Sequence, residues 1–449
     1  MSTHLKRTLC AKAILSAAAG VAVAGVGASM ARADVTGFGG STNTGWQPNG
    51  NPAAVTALVP NVTGAGTIAD VLQITSANNS EATSYWFTTA QDVTNFTANF
   101  TYNDVSGGGA DGIGFVVQNQ GTTALGAAGG AVGYGGITSS AALNLSVFGG
   151  SHFGLTGGGV ANTNTGPTTS VNLSTANTPT NVTLSYVPVS NAGVITATFT
   201  QGANTFTKST VVNIPALVGA NTATVGFTGG TGGLNANQQI SNFTYTAGTA
   251  SLPTKYNVLQ RGDSIVPLAA TTAGNGNNIA VPVTDFPTGE AVPNVLDLNS
   301  GSKYLNFNNK GGNDGLAVTP GIGTTIVNGF QFVTANDSNN RDPMTITLEG
   351  SNDPSALASG NTNWTSLYSG DAGLSADPGR QNFGTEVDFS NGTPYLSYRL
   401  LVTTLRGGTT QNSLQFGDIE LIGTAAPEPA SLSLMGLGAL GLLARRRRA

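Results

Sequence analysis

The stretch Phe96-Thr-Ala-Asn-Phe-Thr-Tyr102 places an apolar residue at every second position. Because side chains alternate between the two faces of a strand, this period predicts a β-strand with one buried face. The same period returns in Val182-Thr-Leu-Ser-Tyr186 and Val194-Ile-Thr-Ala-Thr-Phe199. No stretch between residues 34 and 250 has apolar residues at helical spacing, so this region is predicted to be an antiparallel β-sandwich.

A second group of strands is predicted at residues 304–307, 325–333, 344–350, 395–405 and 414–422. Residues 251–280 contain Pro253, Pro267 and the run GNGNN, which favours a linker. With 63 glycines and only 9% charged residues in 449, the chain lacks the composition of long surface helices. The fold class is therefore predicted to be all-β, with one sandwich over residues 34–250 and another over residues 281–424.

Residues 1–33 have the features of a secretory signal peptide. Basic residues precede an apolar run rich in Ala and Gly, and Ala31-Arg32-Ala33 supplies a small-residue cleavage site before Asp34. The single cysteine, Cys10, lies in this segment. We therefore expect the exported protein to have neither a disulfide nor a catalytic thiol.

Residues 425–449 form a tail with three parts in order. Pro427, Glu428 and Pro429 precede the apolar run 432–444, and four arginines follow at 445–448. As a helix this run would cover about 20 Å of a hydrocarbon core of roughly 30 Å, so we expect only a transient membrane segment with its arginine end in the cytoplasm. The tail resembles the PEP-CTERM sorting signal of Gram-negative bacteria, which implies processing by an exosortase.

Three glycine-rich segments of the first region could meet a ligand. They are Gly108-Gly-Ala-Asp-Gly-Ile-Gly-Phe115, the loop 125–136, and Thr222-Ala-Thr-Val-Gly-Phe-Thr-Gly-Gly-Thr-Gly-Gly233. A carboxylate beside a glycine-rich turn can accept hydrogen bonds from two vicinal hydroxyls, and missing side chains let main-chain N–H groups approach a ligand. In this order, and with the closing strand 239–245, the segments resemble the L-type (legume-type) lectin family over about residues 35–247.

The lectin resemblance implies a jelly-roll sandwich and calcium-dependent binding of sugars. Carried onto this sequence, it implies that the first loop supplies the carboxylate, the second loop its backbone and the third loop one wall of the site. An aromatic side chain of strand 141–148 could stack on a sugar face or face the core. The candidate sugar-binding residues are Asp111, Gly130, Phe148, Gly229, Gly230 and Thr231.

The sequence departs from the lectin family at the metal site. Where the family has a Glu, an Asp and an Asn on one strand, this chain has Asn144, Ser146 and Gly150. Calcium prefers six to eight oxygen ligands that include carboxylates, which two neutral groups and a glycine do not supply. We therefore predict that the family's calcium site is lost in the first region.

The second region resembles a discoidin-like (galactose-binding-like) jelly roll. The resemblance lies in Lys303-Tyr304, in Leu-Glu-Gly-Ser-Asn-Asp at 348–353 and in Ile-Glu-Leu at 419–421. It implies binding of glycans, lipids or proteins through loops at one end, with calcium as a possible cofactor. The oxygen-rich candidates for this cation are Asp297, Asn299, Asp337 and Asp342, although turn aspartates of this kind are also typical of solvated loops.

Charge and composition narrow the function. The region between the two terminal signals is acidic, which disfavours nucleic acid as a partner. His152 is the only histidine after the signal peptide, and no G-x-S-x-G elbow precedes a helix, so we expect no enzyme.

The sequence therefore predicts an exported, non-catalytic, carbohydrate-binding protein of a Gram-negative-type bacterium. Its predicted location is the cell surface or the extracellular matrix, and its predicted partner is an exopolysaccharide. The alternative is a structural matrix or envelope protein whose lectin-like domain has lost sugar binding.

Overall fold

The computed structural model describes residues 34–427, except 51–59, 107–108, 162–165, 271–278, 281–285, 308–313 and 359–360. The predicted signal peptide and the tail from Glu428 onward, with Pro429, lie outside these residues. The all-β prediction is confirmed, since almost all regular structure is strand.

The first sixteen strands and one short helix lie between residues 34 and 250. They are β1 Val35–Thr36, β2 Trp46–Gly50, β3 Asn61–Thr63, β4 Val71–Gln73, β5 Ala82–Phe87, β6 Gln91–Asp92, β7 Phe96–Asp104, β8 Gly112–Gln118, β9 Ser140–Ser146, β10 His152–Gly157, β11 Gly166–Pro167, β12 Thr180–Val189, β13 Ala192–Gln201, β14 Asn204–Val212, α1 Ile214–Val218, β15 Thr222–Gly230 and β16 Gln238–Ala247.

The remaining strands follow residue 250. They are β17 Tyr256–Asn257, β18 Ser264–Ala270, β19 Ile279–Ala280, β20 Tyr304–Asn306, β21 Asp314–Thr319, β22 Thr325–Phe332, β23 Pro343–Ser351, β24 Thr365–Asp371, β25 Val387–Asp388, β26 Ser397–Leu405, β27 Leu414–Phe416 and β28 Ile419–Ala425. Short 3₁₀ turns occur at Gly40–Thr42, Gly129–Ala131, Val292–Leu296, Asn339–Arg341 and Gly408–Thr410.

Two sheets enclose the core of the N-terminal sandwich, which we define as β1 to β16. The front sheet has the strand order β11-β10-β9-β8-β15-β5-β2, and the back sheet contains β14-β13-β12-β7-β16-β4-β3. Phe115 and Phe227 of the front sheet pack with Phe100 and Phe243 of the back sheet, with ring centroids 5.0 to 6.2 Å apart. The alternating apolar residues of the sequence thus meet between the sheets.

The C-terminal sandwich, β17 to β28, contains a second core, to which Val194 and Val211 of the back sheet also contribute. A sheet in the order β19-β18-β21-β26-β23-β24 faces β22 and β28, and Leu348 and Leu400 pack with Phe330 and Leu421. The described strands form a two-layer sandwich, and its discoidin-like type stays a prediction.

The back sheet continues into the C-terminal sandwich. Strand β17 pairs in parallel with β14 at Thr210 and Asn257, and antiparallel with β28. One sheet of twelve described strands therefore runs through both sandwiches.

The stretch predicted as a linker, residues 251–280, differs from that prediction over residues 256–270. Tyr256, Val258 and Leu259 are buried in the C-terminal core, and residues 264–270 form β18. Pro267 suggested a linker, but it lies in a strand that pairs at that position only with β21, and a strand tolerates proline on an open side.

Candidate functional site

Asp111 lies at the start of β8, where both neighbouring strands fix its main chain. Its N–H donates to the Gly230 carbonyl over 3.0 Å, and its own carbonyl accepts from the Val147 N–H over 3.0 Å and from the Ser146 hydroxyl over 3.1 Å. The Ala110–Asp111 peptide bond is cis. The three hydrogen bonds hold the Asp111 main chain between its two neighbouring strands.

The Asp111 carboxylate is a buried acceptor surrounded by glycine. The residue is 8% exposed, and Oδ2 is inaccessible and has no hydrogen-bond partner among the described residues. A Cβ placed on Gly129 would lie 3.9 Å from Oδ2, and one on Gly130 would lie 4.0 Å from Oδ1. Burial raises the pKa of the Asp111 carboxyl above its usual value.

Gly232 makes the closest approach to this carboxylate. A Cβ on Gly232 would lie 2.9 Å from Asp111 Oδ2, which is closer than real side chains come. The loop that carries Gly232 is tied to the second glycine loop, because the Gly129 N–H donates to the Thr231 carbonyl over 3.0 Å. Two glycine loops thus meet above one carboxylate.

A small apolar cluster anchors the second glycine loop on the front sheet. Trp86, Val132, Tyr134 and Ile137 are buried in it. The Trp86 indole N–H donates to the Ala124 carbonyl over 2.7 Å. This loop is therefore held by packing and hydrogen bonds of the chain itself.

Side chains of the front sheet also form hydrogen bonds to the main chain just before the second glycine loop. The Asn49 amide donates to the Thr122 carbonyl over 2.9 Å, and the Ser84 hydroxyl donates to the Ala124 carbonyl over 2.7 Å. These side chains lie on the outer face of the front sheet, where β2 and β5 pair at the same two residues.

The predicted sugar-binding residues divide into two groups. The structure brings Asp111 and Gly130 together, with the Gly230 carbonyl holding the Asp111 main chain. Gly229 lies within β15 and is buried. The Thr231 side chain is also fully buried, since its hydroxyl donates to the Asn78 carbonyl over 2.6 Å and accepts from the Glu81 N–H over 2.9 Å.

Two exposed apolar side chains stand on the adjoining loops. Phe148 is 57% exposed and directly follows Val147, whose N–H binds the Asp111 carbonyl. Leu234 is 56% exposed and accepts a hydrogen bond from the Gly232 N–H through its carbonyl. The sequence prediction included Phe148 but missed Leu234, which directly follows the glycine run that ends at Gly233 and has no local pattern that indicates exposure.

The residues at the family's metal position do not fit calcium. Asn144 is fully buried and neutral, and Ser146 uses its hydroxyl to donate to the Asp111 carbonyl. Within the described ranges, no group of three or more His, Cys, Asp or Glu side chains is arranged to hold a metal ion. Asp111 alone supplies too few hard oxygen ligands for calcium, which prefers six to eight.

The four cation candidates of the C-terminal sandwich are not brought together. Asp342 is fully buried and receives both terminal nitrogens of Arg380, at 2.8 and 2.5 Å. Asp337 pairs with Lys303 at 2.7 Å. In both cases a cationic side chain already offsets the carboxylate charge, so the prediction of a shared cation site is wrong.

The other two candidates close a turn. Asp297 accepts from the Asn299 N–H over 2.9 Å and from the Ser302 hydroxyl over 2.8 Å. Asn299 accepts from the Gly301 N–H over 3.0 Å. These oxygens accept hydrogen bonds from main-chain N–H groups and the Ser302 hydroxyl of the same turn, as in other turns that begin with Asp or Asn.

One sequence motif of known proteins matches this chain. Residues 425–448 match the PEP-CTERM protein-sorting motif, which confirms the tail that Pro427, Glu428 and Pro429 open. No curated protein matches the chain in sequence. Within the described residues, no helix combines the length and apolar character that crossing a membrane requires.

Solved structures of lectins are similar to this chain. The match with lectin II from Ulex europaeus spans 48% of this chain and 97% of the lectin chain, with 13% sequence identity and a TM-score of 0.36. Arcelin-5, a lectin-like defence protein from Phaseolus vulgaris, covers 48% and 98% with 14% identity and a TM-score of 0.36. Peanut lectin with a nine-residue peptide covers 49% and 99% with 16% identity and a TM-score of 0.36.

Proposed function

We propose that this chain is an exported surface protein that binds carbohydrate at Asp111. The observation that carries the proposal is the Asp111 carboxylate, which is 8% exposed, lies against Gly129, Gly130 and Gly232, and has an Oδ2 with no hydrogen-bond partner among the described residues. A desolvated acceptor is costly when left unpaired, so a sugar hydroxyl that reached this carboxylate through a small shift of the Gly232 loop would stabilise it.

The surroundings of the carboxylate suit a sugar ring. Gly129, Gly130 and Gly232 leave room for close approach of a ligand to the main chain. The exposed side chains of Phe148 and Leu234 offer apolar surface for the C–H face of a ring. The ligand class would be a neutral or weakly charged polysaccharide, such as an exopolysaccharide.

Calcium has no part in this proposal. In the described structure the second glycine loop is anchored by the Trp86 cluster and by its hydrogen bonds to the front sheet. The loops are thus preorganised by the chain, which lowers the entropy cost of binding without an ion.

The proposed function is binding without catalysis. Glycoside hydrolysis uses two carboxylates about 5 to 10 Å apart. The acidic residue beside the third glycine loop is Glu81, whose main-chain carbonyl accepts from the Thr231 N–H. Its carboxylate is turned to Ser76, which donates its N–H over 2.7 Å as well as its hydroxyl, and the residue is buried.

In this proposal the sugar is bound outside the cell, and the sorting motif supports that location. It supports export to the envelope or surface, with processing by an exosortase and transient contact of the tail with the membrane. Display of many copies on a surface would give avidity to a weak site.

The test is a glycan array with the purified region 34–424, followed by calorimetry on the strongest glycan. Asp111→Asn keeps the side-chain volume but removes the charge, and we expect it to weaken binding by at least about tenfold. The control is Asp388→Asn, because Asp388 is 69% exposed and forms only a surface ion pair.

Equal binding by the wild type and Asp111→Asn would overturn the assignment of the site. Silence of the wild type on the array and on exopolysaccharide would overturn sugar binding and favour a structural matrix protein.

A further inference from the structure

The N-terminal sandwich contains a cavity of about 420 Å³ between its two sheets. Its walls are apolar and come from both layers, including Phe115 and Leu143 of the front sheet and Leu184 and Ile195 of the back sheet. None of its lining residues belongs to the glycine loops around Asp111. The cavity is therefore a second site, separate from the proposed sugar site.

The opening of the cavity lies between the two sandwiches. Residues of the segment 213–217 line it on one side, and Gln260, Arg261, Asp297 and Leu298 line it on the other. Solvent reaches Arg261 and Ala216. The C-terminal sandwich therefore completes a site whose walls belong to the N-terminal sandwich.

Arg261 is the cationic group in the lining of this opening. Among the described residues it has no ion pair within 4 Å and no hydrogen bond, although its charge acts on the nearby Asp297 carboxyl. Both carboxylate oxygens of the neighbouring Asp297 already accept hydrogen bonds, from the Asn299 N–H and the Ser302 hydroxyl. The Arg261 guanidinium therefore retains N–H donors for a second acidic group, in addition to its electrostatic interaction with Asp297.

The cavity is too large to be a packing defect. Protein interiors contain few voids larger than a water molecule, and an empty apolar cavity lowers stability in proportion to its volume. Cavities of about 300 to 1,000 Å³ are typical of ligand sites. Since a cavity of about 150 Å³ holds benzene, this one has room for roughly 15 to 17 non-hydrogen atoms.

We infer that this cavity binds one amphiphilic carboxylic acid, with its apolar chain between the sheets and its carboxylate paired with Arg261. The apolar walls exclude a polar chain, and the volume matches a medium-length acyl chain of about twelve carbons. Charge-assisted pairing of the guanidinium with a carboxylate would select the acid over the alcohol of the same length.

The experiment uses calorimetry on region 34–424 with dodecanoate and, as the neutral match, dodecanol, both below the concentration at which they form micelles. We expect one dodecanoate per chain and binding of dodecanol that is about tenfold weaker or more. Arg261→Gln should remove this preference and leave dodecanol binding unchanged. Arg341→Gln is the matched control, because Arg341 is a partly exposed arginine outside the cavity lining.

Two further variants test the location. Ala141→Leu fills the cavity from β9, where Ala141 is 4% exposed, and should abolish binding of both ligands while keeping or raising the melting temperature. If this variant does not fold, Ala216→Phe obstructs the opening from an exposed position of α1. The control for added bulk is Ala176→Leu, at an exposed position away from the lining.

The site assignment is overturned if the wild type does not bind dodecanoate, or if the acid binds equally to the variant with the filled or obstructed cavity. The second result would show adsorption to the surface. Asp111→Asn should retain full dodecanoate binding, so the outcome does not depend on sugar recognition.

Discussion

Lys208 of β14 and Glu420 of β28 form an ion pair of 2.7 Å that joins the two sandwiches, with side chains only 15% and 9% exposed. The Lys208 ammonium also lies 4.0 Å from the centre of the Phe383 ring. Phe383 in turn packs into the N-terminal core at 6.4 Å from Phe206. This contact supports the continuous sheet that β17 completes.

Loss of the lysine charge should destabilise both sandwiches together. Lys208→Met leaves Glu420 nearly buried without its cation, so we expect the free energy of unfolding to fall by about 3 kcal/mol. Because one sheet crosses both cores, denaturant unfolding should remain a single transition. The matched control, Lys255→Met, removes two partly exposed ion pairs, to Glu386 and Asp388, and should cost less than about 1 kcal/mol. Two separated transitions would contradict a shared sheet.

Gly232→Ala should disable the proposed sugar site without unfolding the protein. The added Cβ would displace the Asp111 carboxylate, which is the mobile partner in that contact, so sugar affinity should fall by about tenfold or more. Gly233→Ala is the neighbouring control, since nothing lies within 4 Å of a Cβ at that position. Calorimetry on the glycan selected by the array measures the difference, and equal losses in the two variants would point to a general loop effect.

Sugar affinity should fall with pH in the acidic range. Binding at Asp111 needs the ionised carboxylate as an acceptor, and burial raises the pKa of that carboxyl above 3.8. Affinity should therefore be lost as pH drops through this raised pKa, before an ordinary aspartate would be protonated. Titration of the affinity from pH 7 down to 3.8, the ordinary pKa of an aspartate, measures this, and a flat profile over that range would contradict the role of Asp111.

Protein stability should change with pH in the opposite direction because of Asp418. Burial, with Asp297 and Glu420 nearby, raises the pKa of Asp418 well above its usual value. The folded state thus holds this proton more tightly than the unfolded state, so the free energy of unfolding falls as pH rises from about 3.8 through the folded pKa. Burial also raises the pKa of Asp263 to about 6, which adds the same trend below that pH.

Asp418→Asn should therefore stabilise the protein at pH 8 and change little at pH 4. We expect an increase in the melting temperature of about 1 to 3 °C at pH 8, measured by circular dichroism. Asp371→Asn, at an exposed residue, is the control. A lower melting temperature of Asp418→Asn at pH 8 would show that the ionised carboxylate is used in the folded state.

Neither the addition nor the removal of calcium should change the stability of the protein. Asn144 and Ser146 lack the charge that calcium needs, and Asp337 and Asp342 are already paired with Lys303 and Arg380. We expect added calcium or a chelator to shift the melting temperature by less than about 1 °C. A saturable increase of several degrees with calcium would reveal a site, because a ligand that binds only the folded state stabilises it.

Much of the fold could be predicted from local pattern. The alternation in 96–102, 182–186 and 194–199 lies in β7, β12 and β13, because the period of two depends only on which face of a strand is buried. The meeting of Asp111 with glycine could be predicted from the lectin resemblance.

Long-range pairing is what the sequence did not reveal. Thr231 looked like a loop residue open to a ligand, but its hydroxyl binds Asn78 and Glu81, about 150 positions away. Asp342 looked like a free carboxylate, and its partner Arg380 is 38 positions away. The insertion of β17 between β14 and β28 likewise depends on registers that no local period encodes.

The two-residue strand β17 also has a mechanical consequence. Strand β28 ends at Ala425, two residues before Pro427 of the sorting motif. Strand β17 pairs with β28 at two positions and with β14 at one. Suppose that a cell holds the protein by its tail while a sugar polymer bound at Asp111 pulls on the N-terminal sandwich. The force is then transmitted through the pairing of β17 with β14 and β28 and through the Lys208–Glu420 ion pair. The force that the protein withstands before it unfolds would then depend on these contacts between the sandwiches rather than on the packing of either core.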